Sequence, residues 1–367
     1  MTIRMTALAV AGALMASTTL AQADTIRATS GFGPAHVLAT VVYPEIGTRL
    51  EEFTDGGWDL QDTPSGLVAP NEMSSGLRDG VTEMGTLLMP YFPAEFPDAA
   101  LPSELSILGS NNLVISSAVT EYIATCDDCQ AEFTQNGQVY LGTDATPPYN
   151  LLTTSPVRST EDLQGMRIRT GAPLYAGFVQ AMGGEPTQLP SSELFEVLSQ
   201  GVIDGTFSAN HEIIANRLGD VISYVTEIEE GVFNGAAAGG VSGLLWMRMS
   251  GEDRQALARA TQYGIAKGLF GFLEDAEKAR EVEGIEFIAP DDTLLAAKEA
   301  YNEERLAAAA DILTERGVED AQAKIDRYKA LIEKWEGLVS TDMSYEDLAE
   351  LRYEEIFSKI DLNNYGS

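Results

Sequence analysis

Residues 165–173 read GMRIRTGAP, and the fold turns on how this stretch is read. Strand alternation sends Met166 and Ile168 to one face and Arg167 and Arg169 to the other. In an open α/β sheet, ligands collect in the crevice beyond the carboxyl ends of the strands, so Arg169 is better placed than Arg167 to reach one. Its planar guanidinium can clamp a carboxylate through two parallel hydrogen bonds, which a lysine cannot reproduce. The competing reading is a salt bridge to one of 56 acidic residues, in a chain with only 23 Lys and Arg.

Working outward, the chain alternates short apolar runs with helical patterns. DTIRATSGFGP (24–34) reads as a strand running into a loop, with Pro34 starting a helix through residue 53, where Val37, Val41, Val42 and Ile46 keep helical spacing. A second strand in 57–64, a helix ending at Asp79-Gly80 and a further apolar strand complete a βαβ order, which implies a parallel sheet with crossover helices. Pro90, Pro93, Pro97 and Pro102 rule out regular structure between them. The alternation resumes over 139–247, where Trp246 in an apolar run reads as core, and from about residue 251 the pattern is mainly helical.

The first 23 residues carry Arg4, an apolar run and Ala21-Gln22-Ala23, the pattern of a secretory signal cleaved after Ala23. The remaining length suits two lobes with cores of their own. A formal charge of −33 disfavours nucleic acid, whose binding needs a basic stripe, and disfavours anionic membrane surfaces. Cys126 and Cys129, the only cysteines, stand C-x-x-C in ATCDDCQAEF. Export and an even count favour a disulfide. The readings weighed against it are a redox centre, which Asp127 and Asp128 oppose, and a zinc site, for which His36 and His211 lie far off in sequence.

No catalytic motif of the nucleophile-elbow, zinc-protease, P-loop or dinucleotide-binding kind occurs, and no metal or cofactor is expected. Near Arg169, Ser191 or Ser192 reads as a helix N-cap with Glu193 in the first turn, and the Asp204-Gly205 turn leads to Ser208 and Asn210. A strand arginine, a helix start and a polar loop together make a small anion site. His36 reads as a partly exposed helix residue.

The run STEDLQGMRIRTGAP (159–173), followed by GGEPTQLPSSELFEVLSQGVIDG (183–205), resembles the solute-binding subunits of tripartite ATP-independent periplasmic (TRAP) transporters, dicarboxylate-binding type. GLRDGVTEMG (76–85) with YFPAEFPDAALPSEL (91–105) resembles that family's first-lobe helix, strand and Phe/Pro-rich loop. The resemblance implies a two-lobed α/β periplasmic binding protein with hinge strands and a long lobe-spanning helix. It puts the first lobe at 24–152 plus about 240–285, the second at 153–239 plus about 286–340, and a helical segment at 341–367. The family's ligand-clamping arginine falls on Arg169. A second arginine of sialic-acid-binding members falls near Tyr149, an asparagine on Ser208 and an aromatic on Ser191, departures that imply a different ligand. Asn210 joins Ser208 and Tyr149 as a hydrogen-bonding candidate; Phe32 and Asn234 are the first-lobe and hinge-side candidates. The implied partners are a small carboxylate, a hydroxy acid or sugar acid, and TRAP membrane permease subunits, with a monomer as the default. The alternatives are a periplasmic lyase or isomerase acting on a similar acid, and a structural envelope protein.

Overall fold

The computed structural model describes residues 23–340 and 342–366. The expected secretory signal lies outside the described residues apart from Ala23. No helix among the described residues is long and apolar enough to cross a membrane.

Eleven strands among the described residues form two sheets. The first contains β1 (Asp24–Thr29), β2 (Trp58–Asp62), β3 (Met84–Leu88), β4 (Gln138–Tyr140) and β10 (Ala236–Ser242), in the order β2-β1-β3-β10-β4. The second contains β5 (Pro148–Thr153), β6 (Arg167–Thr170), β7 (Glu185–Gln188), β8 (Gly205–Ala209), β9 (Tyr224–Val232) and β11 (Glu286–Ile288), in the order β11-β9-β5-β8-β6-β7. The expected βαβ order holds for β1, β2 and β3, which pair in parallel. Neither sheet is wholly parallel, however. β10 runs antiparallel to β3 and β4, and β5 runs antiparallel to β8 and β9. The reason is topological: the chain passes from one sheet to the other between β4 and β5 and returns between β9 and β10. A crossing strand arrives without the helical return that keeps neighbours parallel.

Two packing layers follow from the sequence pattern. The first sheet is covered by a large apolar cluster that includes Ile26, Val42, Ile46, Leu87 and Trp246. The second has its own clusters, one around Leu151, Ile168, Phe178 and Phe207 and another around Leu152, Leu198 and Val225. Trp246 is 2% exposed and donates its ring N–H to the Tyr365 carbonyl at 2.8 Å, so its expected core position holds.

After β10 comes the 29-residue helix Gly251–Ala279, opened by a capping box of Ser250 and Asp253. It packs against Tyr43–Phe53 of the first lobe and reaches Glu212–Ala215 of the second, which makes it the lobe-spanning helix. Gly264 permits the close crossing: a Cβ there would stand 2.6 Å from the Val42 carbonyl oxygen. The helix expected from Pro34 begins later. Residues Leu38–Val42 form a wide π turn, and regular helix runs over Tyr43–Phe53.

The C-terminal segment is tied down by Arg352 in helix Tyr345–Glu355. This fully buried guanidinium donates to Gln262, Ser116, Ser117 and Thr120 at 2.7–3.2 Å. Four neutral acceptors around one cation satisfy it without a carboxylate in contact.

Candidate functional site

Arg167 and Arg169 share a face of β6 but differ in position along it. Arg167, at the strand start, closes a two-pronged ion pair on Asp204, with Nε to Oδ2 at 2.9 Å and Nη2 to Oδ1 at 2.8 Å. The Asp204 carboxylate also accepts the Arg167 backbone N–H. Arg169 is 3% exposed, its Nε donating to the Leu189 carbonyl at 2.8 Å and its side chain hydrogen-bonding the Tyr91 hydroxyl. Among the described residues it forms no ion pair. The salt bridge weighed against a ligand role is therefore made by Arg167 instead. Gly171 lies against the guanidinium: a Cβ added there would sit 3.5 Å from one terminal nitrogen.

Arg169 lines a cavity between the two sheets, together with three other expected residues, Tyr149, Ser191 and Phe32. The cavity measures about 50 Å³, above the roughly 10–15 Å³ a cavity needs to hold a water molecule. Tyr149 comes from β5, is 5% exposed and stacks on Tyr175 with centroids 4.5 Å apart. Burial raises its hydroxyl pKa, with Arg169 acting in the opposite sense, so the phenol is a neutral donor at ordinary pH. Ser191 begins a single 3-10 turn, Ser191–Glu193, with Pro190 before it and no side-chain cap. The N-cap expected at Ser191 or Ser192 is thus not formed, because Pro190 occupies the capping position.

The other three expected residues stand apart from the cavity wall. Asn234 lies in the β9–β10 crossing, fully buried, with its amide donating to the Pro102 carbonyl at 3.2 Å and its oxygen accepting from Ser106. Its neighbour Phe233 reaches the cavity instead. Asn210 accepts from the Asn150 amide at 3.1 Å, tying β8 to β5. Ser208 is fully buried within β8.

The sequence reading missed much of the wall. His36 is 5% exposed, not a partly exposed helix residue, and its ring stacks on Phe32 with centroids 4.3 Å apart. It meets His211, the only other histidine, edge to face at 5.8 Å, and Phe272 of the long helix approaches both rings. Burial pushes the His36 pKa down to about 3, and burial together with His36 pushes His211 well below its ordinary value. Both imidazoles are therefore neutral. Glu212, beside His211, is 6% exposed and held by the Asn216 amide; burial pushes its carboxyl up to about 7 against the pull of Arg169. Asp144 is likewise pushed up to about 7 by burial, with Arg352 opposing, and Tyr91 is raised by burial with Arg169 opposing.

His36, His211 and Glu212 form a group with ligand-capable atoms within 4.8 Å of one another. The Leu38 N–H donates to His36 Nδ1 at 3.2 Å, which places the ring proton on Nε2. That nitrogen then offers a proton rather than a lone pair, so this set does not suit a divalent metal.

Cys126 and Cys129 form a disulfide at the start of helix Asp127–Gln135, in the first-sheet core and away from the cavity. Burial and the single short loop make it structural, in line with the reading favoured from export and an even count.

Residues 42–271 match the family described as bacterial extracellular solute-binding protein, family 7. A solute-binding protein of Roseobacter denitrificans is 27% identical over 269 residues, 70% of this chain and 79% of that one. Among solved structures, a TRAP periplasmic solute-binding protein from Bordetella bronchiseptica with bound (R)- and (S)-mandelate is similar at a TM-score of 0.74 and 24% identity, over 84% of this chain and 99% of that one. A TRAP solute-binding protein from Rhodoferax ferrireducens in complex with benzoate has a TM-score of 0.75 at 16% identity, over 86% and 99%. At these identities the likeness establishes the two-lobed fold.

Proposed function

Because the chain belongs to bacterial extracellular solute-binding protein family 7, we propose that it is the exported solute-binding subunit of a TRAP transporter, capturing a small organic acid and delivering it to membrane permease subunits. One observation carries this reading: Arg169 is a buried cation at a cavity wall, held by the Leu189 carbonyl and the Tyr91 hydroxyl and forming no ion pair among the described residues. A buried charge is stable when a partner is supplied, and a solute carboxylate supplies it.

The wall also selects the rest of the solute. Phe32, Tyr91, Tyr149, Phe233 and Phe272 surround the space, so the acid has a compact, largely apolar framework. A polyhydroxylated sugar acid would need several hydroxyl partners, whereas Asn210 is engaged with Asn150 and the Ser208 hydroxyl acts on the Tyr149 phenol. A small hydroxy acid remains compatible, with the Tyr149 phenol as donor. The bound relatives named above carry mandelate and benzoate, acids of this general shape. Solute reaches the buried cavity when the lobes part about the two crossings, at residues 141–147 and 233–235, and closure is favoured because the solute touches both lobes only in the closed form.

A thermal-shift screen of small organic acids tests the reading. At least one acid should raise the melting temperature in a concentration-dependent way, and Arg169→Ala should weaken its binding by about 2–5 kcal/mol. A folded Arg169→Ala protein that binds as tightly as the parent would overturn it. The same screen separates the reading from a lyase or isomerase, since a receptor returns its ligand chemically unchanged.

A further inference from the structure

Arg169 is not the only polar group in the cavity. His36 from the first lobe and His211 with Glu212 from the second gather at the same wall, beside the rings of Phe32 and Phe272. A single carboxylate on Arg169 leaves this second group without a purpose and makes one problem worse. Glu212 is almost fully buried, its firm anchor is the Asn216 amide, and it forms no ion pair with Arg169. Bringing a second negative charge into the same dry space costs free energy unless Glu212 takes a proton or meets a cation.

Two candidate cations can be compared on chemistry. A divalent metal would use the two imidazoles, but the proton placed on His36 Nε2 by the Leu38 amide removes one of the lone pairs it needs. An organic ammonium needs no such lone pair. It is drawn to a carboxylate and to aromatic ring faces, and this wall holds both.

Building on the function proposed above, we infer that the solute is a compact zwitterion, with its carboxylate on Arg169 and its positive nitrogen against Glu212 and the neighbouring rings of Phe32 and Phe272. The charges then balance within the closed cavity: the solute's anion pairs with the arginine and its cation with the glutamate, while Asp144, the other carboxyl lining the cavity, has Arg352 acting on it from within the protein. His36 and His211, both neutral, line the nitrogen end without opposing its charge. His211 Nε2 stands 3.9 Å from Glu212 Oε1, the other groups acting on Glu212 are Arg169 and Asn216, and Tyr91 and Tyr149, both neutral, feel its charge.

Matched pairs that differ by one nitrogen in place of one carbon test this directly. Glycine betaine is paired with 3,3-dimethylbutanoate, and proline with cyclopentanecarboxylate, each titrated into the full protein by calorimetry. The expected result is that a zwitterion binds at least about tenfold tighter than its carbon isostere and that Glu212→Gln erases the difference. Calorimetry at pH 7 in two buffers of different ionisation heat gives a second readout on the unmodified protein. A zwitterion should release protons as Glu212 ionises, whereas a simple acid should take protons up. This sign stands even if Glu212→Gln does not fold. Isosteres that bind as tightly as the zwitterions, net proton uptake with the zwitterions, or no binding by either member of both pairs would each overturn the inference. None of those results touches the broader function, which fails only if organic acids at large do not bind or Arg169→Ala has no effect.

Discussion

Arg167 and Arg169 leave the same face of one strand, yet Arg167 is locked onto the Asp204 carboxylate while Arg169 enters the cavity held by neutral groups, the Leu189 carbonyl and the Tyr91 hydroxyl. The difference is position along β6, since Arg167 sits over the Asp204-Gly205 turn that precedes β8 and Arg169 lies farther toward the strand's carboxyl end.

Substituting these two sites should separate structure from binding. Asp204→Asn should lower stability modestly, because the Arg167 ion pair is exposed and its attraction is screened, and it should leave solute affinity unchanged. Arg169→Lys keeps the charge but loses the planar fork, and should weaken binding by about 1.5–3 kcal/mol. Isothermal titration with any acid found in the screen reads both effects; equal affinities for the parent and Arg169→Lys would reject the clamp.

Gly231, in the strand that leads out of the second sheet, has φ of +53°, and a Cβ there would overlap the Ser106 carbonyl oxygen and stand 2.9 Å from Ile107 Cα. Both the backbone conformation and the contact are backbone features that cannot swing aside. Gly231→Ala should therefore cost at least about 3 kcal/mol in urea unfolding. An unchanged unfolding midpoint would show that the crossing adapts.

The buried imidazoles set a stability slope on the acid side. The folded pKa of His36 is about 3 against an ordinary 6.5, so between these values the unfolded chain binds more protons than the folded one. His36 therefore contributes stability that is fully present above pH 6.5 and lost as the pH falls toward 3. Compared with His36→Phe, the parent should lose about 1.4 kcal/mol more per pH unit across that window. Parallel pH curves for the two proteins would place a charged imidazole in the fold.

Removing the disulfide should weaken the fold without touching the site. It closes a very short loop, for which the chain-entropy account gives about 2 kcal/mol, and it belongs to the first-sheet core. A Cys126→Ser, Cys129→Ala double variant should show that loss by urea unfolding with unchanged solute affinity; a change in affinity would link the pair to the cavity.

Much of this protein was legible before folding. Strand alternation at 166–169, the βαβ opening, the C-x-x-C pair and the helical C-terminal third are local patterns, set by neighbours a few residues apart. The resemblance of 159–205 to TRAP solute-binding subunits pointed to Arg169, and the structure places that residue at the cavity. Residue type and spacing point to Ser208, Asn210 and Asn234, but the surroundings of the two asparagines follow from partners far along the chain, Asn150 and Pro102.

What the sequence determined by itself was the alternation of strands and helices and the scarcity of positive charge that makes an uncommitted arginine informative. Only the tertiary structure decided which side chains meet that arginine. His36 and His211 come from opposite lobes, and neither has a local pattern that marks it. Their meeting, and the burial that holds them neutral beside Glu212, depends on how two separate sheets are joined by crossing strands and a spanning helix. That arrangement arises from long-range packing and is not written in any short stretch of the chain.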